Sequence, residues 1–348
     1  MKNTIRKIFI STGILIALCI AVILFQNTFD MTVTSVQIPT SKGNLQGSLV
    51  LPKAPEGKVG LVIFIHGDGP ADASYNGQYE PLWEELAKHG YASLSWSKPE
   101  IGGSSGNWLE QTMEDRALEA NEVIDWAKTL PEIDTDRIGL WGASQAGWVI
   151  PKIVQKNPTI AFQILVAPAI NWIDQGLYHT LSQIKKDGKS LKEQIKAQEK
   201  YEWSVSMLEK NANYQEYHNS DNADKDLSED RWNFILKNYQ SDSTEDIQHF
   251  YSPVKLFLGG RDIHVDSNNT KEVYEKMVPG ELLNVTLIPT TDHYMLKAPL
   301  VDSKSLTVLT ALFAPRQLAD KTYHEEIIQF LHSIDASHKA NSVKKAFP

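Results

Sequence analysis

The sequence predicts an α/β fold, a mostly parallel sheet wrapped by helices on both faces, and three observations predict it. Residues 61–65, 92–96, 138–141, 162–167, 254–258 and 285–288 are short apolar runs of the kind buried on both faces. Between several of them, residues 79–89, 115–128 and 145–156 repeat apolar side chains at helical spacing, with Ala117, Ala120, Ile124 and Ala127 on one side of the second. Ahead of both, residues 33–38 and 45–51 alternate apolar and polar side chains around Pro39-Thr40-Ser41-Lys42-Gly43, the pattern of an antiparallel hairpin at a sheet edge. Pro151 removes a backbone bond inside the third helical pattern, so a kink is expected there.

At 348 residues the chain is ample for one large α/β domain with an insertion. Its formal charge of −9, with no Lys/Arg cluster beyond the two short termini, argues against a nucleic-acid partner. The first thirty residues stand apart. Lys2, Arg6 and Lys7 precede an uncharged, mostly apolar run over residues 8–25, which as a helix reaches about 27 Å, near the hydrocarbon thickness of a bilayer. No A-x-A-like cleavage site follows, and the nearby positive charge lies on the N-terminal side. Residues 1–30 therefore read as an uncleaved signal anchor, with residues 31–348 held outside the cell membrane; cleavage would make the protein secreted. Cys19 is the single cysteine and lies within this segment, so the outer domain contains no disulfide.

Residues 171–250 interrupt the alternation with a polar, helix-prone stretch carrying Trp172, Tyr178, Tyr201, Trp203, Tyr214, Tyr217, Trp232, Phe234 and Tyr239. The expectation is a helical lid whose aromatics form a small core of their own and also line an apolar pocket. Asp221, Asp224, Asp226, Glu229 and Asp230 make an acidic run, but Lys225 interrupts it and the turn glycine of a calcium loop is missing, so it reads as solvated.

Trp141-Gly142-Ala143-Ser144-Gln145-Ala146-Gly147 places a serine between small residues, after an apolar strand and before a helical pattern. Such a turn thrusts the hydroxyl out of the sheet above a helix N-terminus, where unpaired N–H groups favour developing negative charge. A serine nucleophile also needs a base, a group to orient that base, and donors for the oxyanion. Asp262 follows the strand end Phe257-Leu258-Gly259-Gly260, and His293 follows the last strand in Thr290-Thr291-Asp292-His293. The order Ser144, Asp262, His293 suits a nucleophile followed by its acid and base on later strands. His264 lies too close to Asp262 to come from a separate loop, and Asp266 and Asp292 are the fallback acids. His66-Gly67-Asp68-Gly69-Pro70 follows the first core strand, so the backbone N–H of Asp68 is the candidate first oxyanion donor and that of Gln145 the second. His66 braces that turn. Gly102-Gly103-Ser104-Ser105-Gly106 lacks the ending of a phosphate loop and reads as a turn.

His66-Gly67-Asp68-Gly69, Gly142-Ala143-Ser144-Gln145-Ala146, Gly259-Gly260-Arg261-Asp262 and Asp292-His293 together resemble the α/β-hydrolases, of the serine esterase and dienelactone-hydrolase-like kind that includes the catalytic domains of prolyl oligopeptidases. The resemblance covers roughly residues 33–333. It implies an eight-stranded, mostly parallel sheet and metal-free, cofactor-free hydrolysis. Ala146 departs from the pattern, which more often has glycine there, and slightly crowds the turn. The expected activity is cleavage of carboxylic esters of modest size through an acyl-enzyme. An oligopeptidase, an acyltransferase and a non-catalytic surface binding protein are the alternatives. The roughly thirty residues between anchor and first core strand are too few for the propeller that precedes this domain in such peptidases.

Overall fold

The computed structural model describes residues 2–346. Eight strands, β1 (Thr32–Thr40), β2 (Gly43–Leu51), β3 (Val59–Ile65), β4 (Tyr91–Trp96), β5 (Ile133–Ala143), β6 (Phe162–Val166), β7 (Val254–Gly259) and β8 (Leu283–Ile288), form one sheet in the order β1-β2-β4-β3-β5-β6-β7-β8. The β1–β2 hairpin is the antiparallel edge, β2 meets β4 antiparallel, and the remaining pairs are parallel. The helices are α1 (Lys2–Asn27), α2 (Glu80–Lys88), α3 (Met113–Ala127), α4 (Ile150–Lys156), α5 (Trp172–Lys186), α6 (Leu191–Glu209), α7 (Tyr214–His218), α8 (Glu229–Asn238), α9 (Ser267–Met277), α10 (Ala298–Val301), α11 (Lys304–Phe313) and α12 (Lys321–Ala346).

Strand periodicity divides the core in two. Leu61, Ile63 and Ile65 of β3 pack with Ala117, Ile124, Ile153 and Tyr274 on one face. Val62 and Phe64, pointing the other way, pack with Trp83, Leu86, Ile327 and Leu331. Every β3 side chain is buried, which is why an unbroken apolar run rather than an alternating one marks this strand. Gly139 of β5 has no room for a side chain, since a Cβ there would lie 2.2 Å from the ring of Phe162.

The kink expected at Pro151 does not occur. Ser144–Trp148 form a 3₁₀ turn and α4 begins only at Ile150, so Pro151 sits in the first helical turn, where a missing N–H costs no bond. The insertion between β6 and β7 is helical throughout α5 to α8. Its aromatics divide: Tyr217 and Trp232 build a satellite core with Leu208, while Trp172 stacks on Trp148 at 4.8 Å and Phe234 meets Trp108 at 5.5 Å, both joining the main core.

Along α1, Lys7–Asn27 is long and apolar enough to cross a membrane, and none of its hydrophobic window is buried in the protein. At its exit, Arg316 donates to the carbonyls of Phe25 and Thr28 and pairs through two nitrogens with Glu84, each contact to the carboxylate being 2.8 Å. Burial disfavours a charged Glu84, yet Arg316 and the Asp30 N–H hold its carboxyl down to about 2.

His66, just past β3, is buried, with Nε2 2.7 Å from the Trp96 carbonyl and Nδ1 3.0 Å from the Tyr79 hydroxyl. A carbonyl only accepts, so Nε2 carries the proton and Nδ1 accepts from tyrosine. Burial, with Lys98 beside it, holds the imidazole down to about 3.

Two outcomes follow for stability. Gly139→Ala lowers the urea midpoint by the equivalent of about 1–3 kcal/mol, the cost of forcing Phe162 aside. Because unfolded His66 takes its proton near pH ~6.5 and folded His66 only near 3, its contribution is whole above pH ~6.5 and declines as pH falls. Denaturation of the detergent-solubilised chain between pH 7 and 4 shows that decline in the wild type, and a shallower one in His66→Gln.

Candidate active site

Register brings the functional loops to one edge of the sheet. β3 and β5 run parallel with Ile65 opposite Gly142, so the chain leaves both strands side by side. Past β5 it turns at Ser144, whose φ of +55° a residue with a side chain rarely adopts. This is a strained strand-to-helix turn, the geometry that can expose a nucleophile. A Cβ at Gly142 would meet Ala146 Cβ at 2.7 Å and Ile150 Cδ1 at 2.5 Å, so alanine at 146 fits because position 142 is glycine.

β7 and β8 end together, Gly259 opposite Ile288. Their loops then touch: a Cβ on Gly259 would lie 2.4 Å from the Asp292 carbonyl, and one on Gly260 would lie 2.6 Å from Pro289 Cα. Two glycines thus allow the approach that sets Asp262 against His293, Oδ2 to Nδ1 at 2.8 Å. Asp262 Oδ1 accepts the N–H groups of His264 at 2.7 Å and Val265 at 2.9 Å, so this buried carboxylate is fixed from both sides. A carboxylate accepts, which puts the proton on Nδ1 of His293 and leaves Nε2 with a lone pair when the ring is neutral.

The fallback groups are otherwise engaged. Asp266 accepts from the N–H groups of Asn268 and Asn269 as the cap of α9, and Asp292 accepts from those of Tyr294 and Leu296. His264 lies between the rings of His179 at 4.5 Å and His293 at 4.9 Å, and burial, followed by the neighbouring His293, holds its imidazole down to about 4.

The turn after β3 is held from behind. Buried Lys98 donates from Nζ to the carbonyls of Gly67 at 2.6 Å and Gly69 at 2.7 Å. In a trans peptide the C=O and N–H point oppositely, so drawing the Gly67 carbonyl to Lys98 directs the Asp68 N–H away from it. The Asp68 carboxylate accepts from Gln145 Nε2 at 2.9 Å and from Nη1 and Nη2 of Arg231 on α8. Burial opposes its charge, but Arg231 keeps the carboxyl below the ordinary range. Gln145 Oε1 in turn takes Arg116 Nη1 at 2.5 Å, and Arg116 Nη2 reaches the His66 carbonyl at 2.7 Å. The N–H of Gln145 belongs to the first turn of the 3₁₀ segment, where no intrahelical acceptor exists.

Ser144, His293 and Asp68 line one cavity of about 450 Å³. Its aromatic walls are Tyr75, Tyr79, Trp141, Tyr294 and Tyr323, none from the insertion. The expectation that the aromatics of residues 171–250 line the pocket is therefore corrected: they are consumed by packing within the insertion and against the sheet, and α5 offers Gln175 and His179 instead. Sequence reasoning did not reach Lys98, Arg116 or Arg231. Each is a lone basic residue on a separate element, and no local pattern links them.

Residues 44–278 match the X-Pro dipeptidyl-peptidase (S15) family, a span that includes Ser144 and Asp262 and stops before His293. The sequence matches no curated protein. Among solved structures, the chain is similar to a 2,6-dihydroxy-pseudo-oxynicotine hydrolase (15% identity, 87% of this chain and 68% of that chain, TM-score 0.54). It is similar to the ferulic-acid-bound Est1E of Butyrivibrio proteoclasticus (17%, 86% and 99%, TM-score 0.55) and to the Pyrococcus furiosus esterase Pf2001 (18%, 83% and 92%, TM-score 0.51). At such identities these likenesses speak for the fold. The family match runs from β2 through α9, more than half the chain and most of the sheet, so the protein belongs to the X-Pro dipeptidyl-peptidase (S15) family and is a hydrolase of the α/β-hydrolase fold.

Proposed function

We propose that the protein is a membrane-anchored serine hydrolase that cleaves carboxylic esters. His293, oriented by Asp262, takes the proton of Ser144 as its Oγ attacks the ester carbonyl. The tetrahedral oxyanion rests on the N–H groups of Asp68 and Gln145. The same proton then passes from His293 to the departing alcohol, leaving an acyl-enzyme. A water, deprotonated by His293, attacks the acyl carbon, and the collapse of that second intermediate returns the proton to Ser144 and releases the acid. The observation that carries the reading is the 2.8 Å contact of Asp262 with His293 beside a serine of positive φ in one cavity. Asp68 suits the donor role because its carboxylate, which would repel an oxyanion, is neutralised by Arg231.

The family match favours a second reading, release of dipeptides from a peptide's amino end. Such an enzyme must hold a protonated α-amine, whose natural complement is a carboxylate. Among the described residues lining the cavity the only carboxylate is Asp68, which Arg231 already occupies. That balance favours a neutral ester. The apolar run Lys7–Asn27 is read as the anchor that keeps the catalytic domain outside the membrane.

A fluorophosphonate probe is expected to label the wild type and not Ser144→Ala, and p-nitrophenyl ester hydrolysis to vanish with the label. Equal rates in both proteins would reject the mechanism. Asp262→Asn should lower turnover by about 10⁴-fold, as loss of the orienting carboxylate does in the Ser-His-Asp template, with KM changing far less. Assayed side by side, short acyl p-nitrophenyl esters should exceed Ala-Pro-p-nitroanilide in kcat/KM; the reverse order would favour the dipeptidase.

A further inference from the structure

Between the His293 loop and α12 the chain makes an excursion that carries none of the proposed catalytic or oxyanion-binding residues. It leaves at Lys297 and returns at Leu318, its neck closed by the Lys297 N–H to Leu318 carbonyl bond of 3.0 Å, the Asp320 N–H to Met295 carbonyl bond of 2.8 Å, and a bridge between Leu296 and Ala319. Leu296, Leu318 and Ala319 also line the catalytic cavity. At the far end is α11, with the sequence Lys-Ser-Leu-Thr-Val-Leu-Thr-Ala-Leu-Phe and no buried residue. Leu306, Val308, Leu309, Leu312 and Phe313 are 42% to 61% exposed. A ten-residue helix is marginal in water unless it buries an apolar face, and this one buries none within the chain.

Its neighbour indicates what covers it. The C-terminal end of α11 meets the exit of α1, where Asn27 Nδ2 lies 3.5 Å from the Leu312 carbonyl. Arg316, three residues past α11, grips the carbonyls of Phe25 and Thr28 and stacks on Phe25 and Phe29 while paired with Glu84. The 21 residues Lys7–Asn27 span about 30 Å as a helix, one hydrocarbon thickness, so Asn27 lies at the membrane surface. The apolar face of α11 is thereby fixed at that same level.

We propose that α11 inserts its apolar face into the bilayer beside the exit of α1, seating the catalytic cavity against the membrane so that its substrates are esters resident in lipid. This deepens the ester-hydrolase reading and rests on it for the substrate class alone, and on the anchor for the docking. The docking rests on the exposed face and its contact with α1. Lys304 at the start of α11 is exposed and placed to reach anionic headgroups.

The test uses the full chain in phosphatidylcholine/phosphatidylglycerol vesicles, in a Cys19→Ser background that removes the only thiol. An environment-sensitive fluorophore on Leu309→Cys should be quenched by doxyl-labelled lipid. The same dye on Asp125→Cys, exposed on α3 at the face of the sheet opposite α2 and its Glu84, should not be. No quenching at 309 overturns the docking, as does energy transfer between labelled copies in place of lipid quenching, which would mean that a second copy covers the face. Leu309→Glu with Leu312→Glu should lower hydrolysis of a vesicle-borne long-chain ester by about tenfold and leave a water-soluble p-nitrophenyl ester within about twofold, since interfacial binding scales with buried apolar area. An equal loss on both substrates, or none on either, overturns the substrate class. If neither substrate is turned over by the unmutated chain, the hydrolase reading fails while lipid quenching still decides the docking.

Discussion

The parallel pairing of β3 with β5 is the constraint on which the site depends. With Ile65 opposite Gly142, the turn carrying Asp68 and the turn carrying Ser144 leave the sheet within a residue of one another. A slip of one residue would send every side chain of β3 to the opposite core, so the two apolar layers that bury Leu61 and Val62 on opposite faces enforce the register. Packing energy spent on the core is in this way also what aligns the cavity.

Around that junction lies a chain of charge and hydrogen bonding that runs from His66 through Arg116 and Gln145 to Asp68 and out to Arg231. Every member satisfies another, as buried polar groups must. Its last link belongs to α8, so the helical insertion is tied electrostatically to the turn after β3. The strain at Ser144 is tolerated because these bonds, and the tight fit around Gly142, over-determine the turn.

Much of this was legible from residues alone, and the reasons are local. Buried strands announce themselves as apolar runs, so six strands were found within a few residues, and the hairpin of β1 and β2 was visible in its alternation. The grouping of Asp262 with His293 was legible because each follows a strand end, while the glycines beside Asp262 hint at crowding. What escaped was non-local. Pro151 reads as a helix breaker or as a helix starter depending on whether Ser144–Trp148 are α or 3₁₀, which tertiary packing decides. Aromatics in the insertion have the same letters whether they face a cavity or each other. Helices α10 to α12 and the exposed face of α11 passed unremarked, because a single short apolar helix resembles any core helix until its surroundings are known.

The salt bridge at Glu84 has a practical corollary for anyone wanting this protein without its apolar N-terminal helix. Glu84 is buried, and its ionised form relies on Arg316 and on the Asp30 N–H, while Arg316 also holds the Thr28 carbonyl. A truncation starting at Thr28 keeps those contacts and loses only the hold of Arg316 on Phe25. One starting at Met31 discards two of them and leaves a charge in the interior less well compensated, so solubility is gained there at the expense of stability near neutral pH, a loss that fades as acid protonates Glu84.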